Sequence, residues 1–167
     1  MAEAGRILVL GLGNPDRGDD AVGRAVAQAL RGALPADVEV EECAGEATDI
    51  LARLERVDTV LIIDACASGA PAGTAHRFEA GRAPLPQAAF GASTHGFGLH
   101  EAIELARALG QLPPRCVVYA IEGAAFETGA ALSPVVAAAV AEVAGRIRAE
   151  LAAATDRPGA GPCMKLR

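Results

Sequence analysis

The 167 residues predict one α/β domain, a three-layer αβα sandwich. Its mostly parallel, twisted sheet is expected to hold about five strands, with helices on both faces. Three observations lead there. Short, continuously apolar runs at Ile7–Leu12, Val60–Ile63 and Cys116–Ile121 have the length of strands buried on both sides. Segments with helical spacing of apolar residues alternate with those runs. The length suits a single core.

The first strand, Ile7 to Leu12, is closed by the turn residues Gly13-Asn14-Pro15. A helix is expected from about Asp19 to Arg31, with Val22, Val26, Ala29 and Leu30 at helical spacing and acidic residues in its first turn. Val38 to Glu42 alternates apolar and acidic residues, the pattern of a half-exposed strand. A short helix follows from Thr48 to Arg56, then the strand ending at Asp64. Thr74 to Ala80 reads as another strand, and Gly81 to Ser93, without a period, as a loop. Leu99, Ala102, Ile103, Ala106 and Leu109 mark a helix that stops at Gly110. After the strand at Cys116–Ile121, Ser133-Pro134 opens a long helix to about Ala153, with Ser as cap and Pro in the first turn. Residues 1–153 thus form the domain, and the Gly/Pro-rich residues 154–167 read as a flexible tail.

Composition excludes several classes. Net charge is −6 and aromatics are 3%, so nucleic acid, which needs a basic surface and stacking rings, is not an expected partner. The N-terminal apolar run is too short for a signal segment, and Glu142, Arg146 and Arg148 interrupt the apolar C-terminal stretch. The expectation is a cytoplasmic protein without a membrane partner. Cys43, Cys66, Cys116 and Cys163 make no CxxC pair and are expected as free thiols, with Cys66 and Cys116 acting as small buried hydrophobes.

In mostly parallel sheets, sites form beyond the carboxyl ends of the strands. Asp64 ends a buried strand, Asp19 and Asp20 follow the first strand by one loop, and His95 precedes a helix. Two carboxylates and an imidazole can hold a transition-metal ion with positions left open for substrate. Each also has a plainer role. Asp19 and Asp20 suit the positive end of a helix, Asp64 can accept from backbone amides, and His95 can be an ordinary loop residue. His76 and His100 read as a strand-surface and a helix-surface residue.

The stretch Gly11-Leu12-Gly13-Asn14-Pro15-Asp16-Arg17-Gly18-Asp19-Asp20-Ala21-Val22-Gly23 resembles the opening motif of the nickel-hydrogenase maturation endopeptidases. Leu61-Ile62-Ile63-Asp64-Ala65 and Ser93-Thr94-His95-Gly96-Phe97-Gly98-Leu99 resemble that family's second and third motifs, and Ile121-Glu122-Gly123 with Leu132-Ser133-Pro134 its last strand and helix start. The resemblance runs from about Arg6 to Leu151. It implies a protease that clips a C-terminal peptide from the precursor of a hydrogenase large subunit after nickel insertion. It also implies that Asp20, Asp64 and His95 are both the metal ligands and the catalytic set. Nickel would come with the substrate, and the enzyme alone would carry no metal. One departure stands out: Cys43-Ala44-Gly45-Glu46 replaces the family's frequent Gly-Gly-Thr.

Four rival readings remain at this level, one of them a metalloenzyme that carries its own tightly bound metal. A relative that holds a metalloprotein precursor without cutting it is another. Gly11-Leu12-Gly13-Asn14-Pro15 also resembles the opening of peptidyl-tRNA hydrolase, but acidic residues stand where that family needs a histidine. A dinucleotide fingerprint would need glycine at the position of Asp16.

Overall fold

The computed structural model describes residues 5–90 and 98–155. Among them, five strands form one sheet: β1 (Ile7–Leu12), β2 (Val38–Cys43), β3 (Thr59–Cys66), β4 (Ala75–Glu79) and β5 (Arg115–Glu122). Their order is β2-β1-β3-β5-β4. β1 pairs in parallel with β2 and β3, and β3 with β5; only the edge strand β4 runs antiparallel, against β5.

Side chains alternate across a strand, so each strand serves two cores. Val9, Leu61, Ile63, Tyr119 and Ile121 point to one face, where α1 (Val22–Leu30) and α5 (Pro134–Thr155) cover them. Leu8, Leu10, Val60, Ile62 and Val118 point to the other, under α2 (Ala47–Leu54), α3 (Gln87–Phe90) and α4 (Leu99–Ala108). This two-sided covering is why the strands read as unbroken apolar runs. Each fully buried Val, Leu or Ile contributes about 1.5–3 kcal/mol of burial free energy. With few aromatic side chains, the cores rest on many such residues.

The expected three-layer sandwich is the observed fold. Local details differ, at element ends and in the segments that follow. The expected first helix begins as a separate 3-10 turn, Gly18–Ala21, before α1 starts at Val22. The expected loop at Gly81–Ser93 contains α3, which buries Ala89 and Phe90; four residues are too few to display a period. Helix α5 continues through Thr155, beyond its expected end at Ala153. The rest of the expected tail, residues 156–167, lies outside the described residues.

The connections set the position of the site. From β1 the chain crosses through α1 to β2 on one side. From β2 it crosses through α2 to β3 on the other side of β1. The strand order therefore reverses between β1 and β3, which opens a crevice at their carboxyl ends.

Candidate active-site cleft

Two glycines of the opening motif shape the crevice. Gly23 sits where α1 meets the sheet, and a Cβ there would lie 2.3 Å from the Ile63 carbonyl oxygen and 2.5 Å from that of Leu12. The helix backbone rests directly on β1 and β3 because residue 23 has no side chain. Gly13 has φ +133°, and a Cβ there would stand 1.8 Å from the carbonyl oxygen of Asp20. The loop after β1 is thereby folded back so that Asp20 returns to the strand end.

That loop fixes the Asp20 carboxylate. Asn14 N–H donates to its Oδ2 at 3.0 Å, and the Arg17 guanidinium approaches the same oxygen at 3.8 Å. Asn14 itself is held in a turn, its side-chain oxygen accepting from Asp16 N–H at 2.9 Å. Asp20 and Asp64 line one cleft of about 300 Å³, together with Gly13, Arg17, Phe90 and Leu99. Asp64, half-buried at the end of β3, accepts a hydrogen bond from Ala65 N–H at 2.8 Å. Burial, and then the neighbouring Asp20 charge, push its carboxyl up to about 7, against a weaker opposing effect of the Ala65 bond. Two close carboxylates in a partly desolvated cleft repel each other, and a cation bound between them would relieve that repulsion.

The structure thus brings together two of the three sequence-predicted residues. His95 lies in 91–97, outside the described residues; Phe90 and Leu99, on either side of that segment, both line the cleft.

Asp19 departs from its expected role at a helix terminus. It is fully buried and ties three segments together. Its Oδ2 accepts from Ala124 N–H at 2.8 Å and Ala125 N–H at 2.9 Å, and its Oδ1 accepts from Ser133 N–H at 2.8 Å. The Ser133 hydroxyl donates to Oδ2, also at 2.8 Å. Burial alone would raise this carboxyl, but these donors outweigh it and hold it below the usual carboxylate range. The acidic pair is therefore divided: Asp19 staples the β5–α5 connection to the loop, and Asp20 faces the cleft.

The Cys43-Ala44-Gly45-Glu46 departure lies on the cleft rim. Ala44 and Gly45 line the cleft, whereas Glu46 is exposed at the start of α2. The Cys43 carbonyl accepts from Gly13 N–H at 3.1 Å, so this segment also supports the glycine turn.

Sequence reasoning missed one group beside the cleft. Glu122, 1% exposed at the end of β5, accepts from Ser68 N–H at 3.0 Å and from the Ser68 hydroxyl. His76 Nε2 lies 3.1 Å from its Oε1, so His76 is not a mere strand-surface residue. Burial opposes ionisation of Glu122, but bonds from Ser68, His76 and Cys66 hold its carboxyl below the ordinary range. A carboxylate closing the otherwise apolar run of β5 was the available signal. Cys43, Cys66 and Cys116 are free as expected; Cys66 and Cys116 are buried as expected, and Cys43 is buried too, while Cys163 lies outside the described residues. Among the described residues no helix is long and apolar enough to cross a membrane.

Comparison with known proteins agrees with the fold. A solved structure of the hydrogenase maturating endopeptidase HybD from E. coli superposes with a TM-score of 0.72 at 26% identity, over 89% of this chain and 93% of that one. The solution structure of an endopeptidase from Escherichia coli gives a TM-score of 0.78 at 27% identity, with the same coverage. The hydrogenase expression/formation protein HupD of Thiocapsa roseopersicina is 28% identical over 118 residues, 70% of this chain and 53% of that protein. The chain thus spans about half the length of that curated relative. The hydrogenase maturation protease family model matches residues 25–150, which include Asp64 and Glu122 but begin after Asp20. With well over half its length matched by that model, and with an α/β fold shared with maturation endopeptidases, the chain belongs to the hydrogenase maturation protease family.

Proposed function

We propose that this protein is a cytoplasmic endopeptidase that removes a C-terminal peptide from the nickel-loaded precursor of a [NiFe] hydrogenase large subunit. The observation that carries this reading is the convergence of Asp20 and Asp64 on one open cleft at the β1/β3 reversal. Nickel arrives as part of the substrate. Asp20, Asp64 and His95 complete its coordination, and the scissile peptide is thereby fixed beside the metal. Carboxylate and imidazole donors suit a divalent ion of this kind, and positions left open on it admit a peptide carbonyl or water. The raised carboxyl of Asp64 supports the same reading, because paired carboxylates gain from a cation that enters only with the correct substrate.

The experiment compares purified protein incubated with nickel-loaded and nickel-free precursor, following the loss of C-terminal mass. Cleavage is expected only with nickel, and Asp20→Ala is expected to lower the rate by roughly 100-fold or more, the scale of losing a key electrostatic group. Equal cleavage without nickel, or full activity in Asp20→Ala, refutes the mechanism. Tight binding of the loaded precursor without any cleavage would instead identify a precursor-holding protein.

A further inference from the structure

We propose that Cys66, His76 and Glu122 form a second divalent-metal site, of the zinc class, built across three neighbouring strands. Its Cys66 also lines the Asp20–Asp64 cleft, but neither of those carboxylates is among its ligands, and it does not depend on the proposed cleavage reaction.

The strand register puts these residues together. Cys66 is paired with Glu122 across β3 and β5, so both project from the same face of the sheet. His76 is paired with Ala120, two residues before Glu122, which places it diagonally beside Glu122 on that face. One donor atom from each side chain lies within 4.8 Å of the others. A tetrahedral zinc ion with bonds of about 2.0–2.3 Å keeps its ligand atoms roughly 3.3–3.7 Å apart. The His76 Nε2 to Glu122 Oε1 separation, 3.1 Å, is already close to that geometry.

The chemistry fits a borderline metal better than calcium or magnesium, which prefer oxygen donors. Thiolate, imidazole and carboxylate are the three side-chain donor types zinc accepts, and three of them leave a fourth position for water. The surroundings are anionic and sheltered: Glu122 is 1% and Cys66 4% exposed, and Asp64 lies two residues from Cys66 on the same face. Ser68, which donates from both its N–H and its hydroxyl to Glu122, orients that carboxylate as partners behind a ligand do. A nucleophilic role for Cys66 is disfavoured. Burial, Glu122 and Asp64 push its thiol far above the ordinary range, opposite to what activates a cysteine. A bound cation reverses that field and displaces the thiol proton to solvent.

The test uses the full chain, treated with chelator and titrated with cobalt(II), which reports thiolate ligation by a near-ultraviolet charge-transfer band. A saturable, stoichiometric band is expected, competed away by zinc. It should vanish in Cys66→Ala, and His76→Ala should weaken cobalt affinity beyond the roughly 10- to 100-fold typical of outer partners. The Asp20→Ala/Asp64→Ala double variant should keep the band, which separates these ligands from the Asp20–Asp64 pair. Absence of a saturable band in the unmodified protein, its survival in Cys66→Ala, or its loss in the double variant overturns the proposal. Should Cys66→Ala fail to fold, His76→Ala at the half-exposed sheet edge decides alone, and unchanged affinity there is equally fatal.

Discussion

Replacing Asp64 by Asn is expected to stabilise the fold at neutral and alkaline pH while removing activity. The side chain keeps its size, and its amide oxygen still accepts from Ala65 N–H. What disappears is a carboxylate held near about 7 in the fold, against an ordinary value of 3.8. A raised acid binds more protons folded than unfolded between those two values. Stability therefore falls as pH rises through that window, and the full cost is present above about 7. At about 1.4 kcal/mol per pKa unit the difference corresponds to about 4 kcal/mol. Asp64 borders an open cleft, however, and solvent screening reduces the expected gain to about 1–2 kcal/mol. The assay is urea unfolding followed by circular dichroism, at about pH 5 and about pH 8, for both proteins. The stability difference between Asn and Asp should grow with pH, which isolates this residue from groups common to both. A difference that is constant with pH, or a wild type more stable than Asp64→Asn at about pH 8, would refute the reasoning. The gain in stability with loss of cleavage is the trade expected where a site keeps like charges together.

Two further substitutions test the parts that hold the cleft in place. Gly13→Ala meets both a positive φ and a contact of 1.8 Å with the Asp20 carbonyl, so the loop must move; cleavage should fall sharply, and retained activity would show that Asp20 does not need this turn. Asp19→Ala leaves the N–H groups of Ala124, Ala125 and Ser133 without their buried acceptor. It should cost about 2–4 kcal/mol in denaturant unfolding. Because the Asp19 carboxyl is held low, its contribution is present above the unfolded value and is lost as pH falls through the folded one, so wild type and Asp19→Ala should converge in acid.

The layers were legible in the amino-acid sequence. Unbroken apolar runs in β1, β3 and β5 mean burial on both faces, and helices spaced between them mean parallel crossovers. It also placed Asp20 and Asp64 at strand ends, because the carboxyl edge follows directly from strand direction. The motif resemblance singles out Asp20 of the acidic pair, but the stapling role of Asp19 is visible only in three dimensions. Asp19 turns inward to Ala124, Ala125 and Ser133, and Asp20 outward to the cleft, because Gly13 and Gly18 bend the loop between distant segments. The Cys66–His76–Glu122 cluster was likewise illegible. Its members are spread over three strands, and only the antiparallel register of β4 on β5 brings His76 beside Glu122. Pairing between strands far apart in the chain is set by the whole sheet, and no local spacing records it.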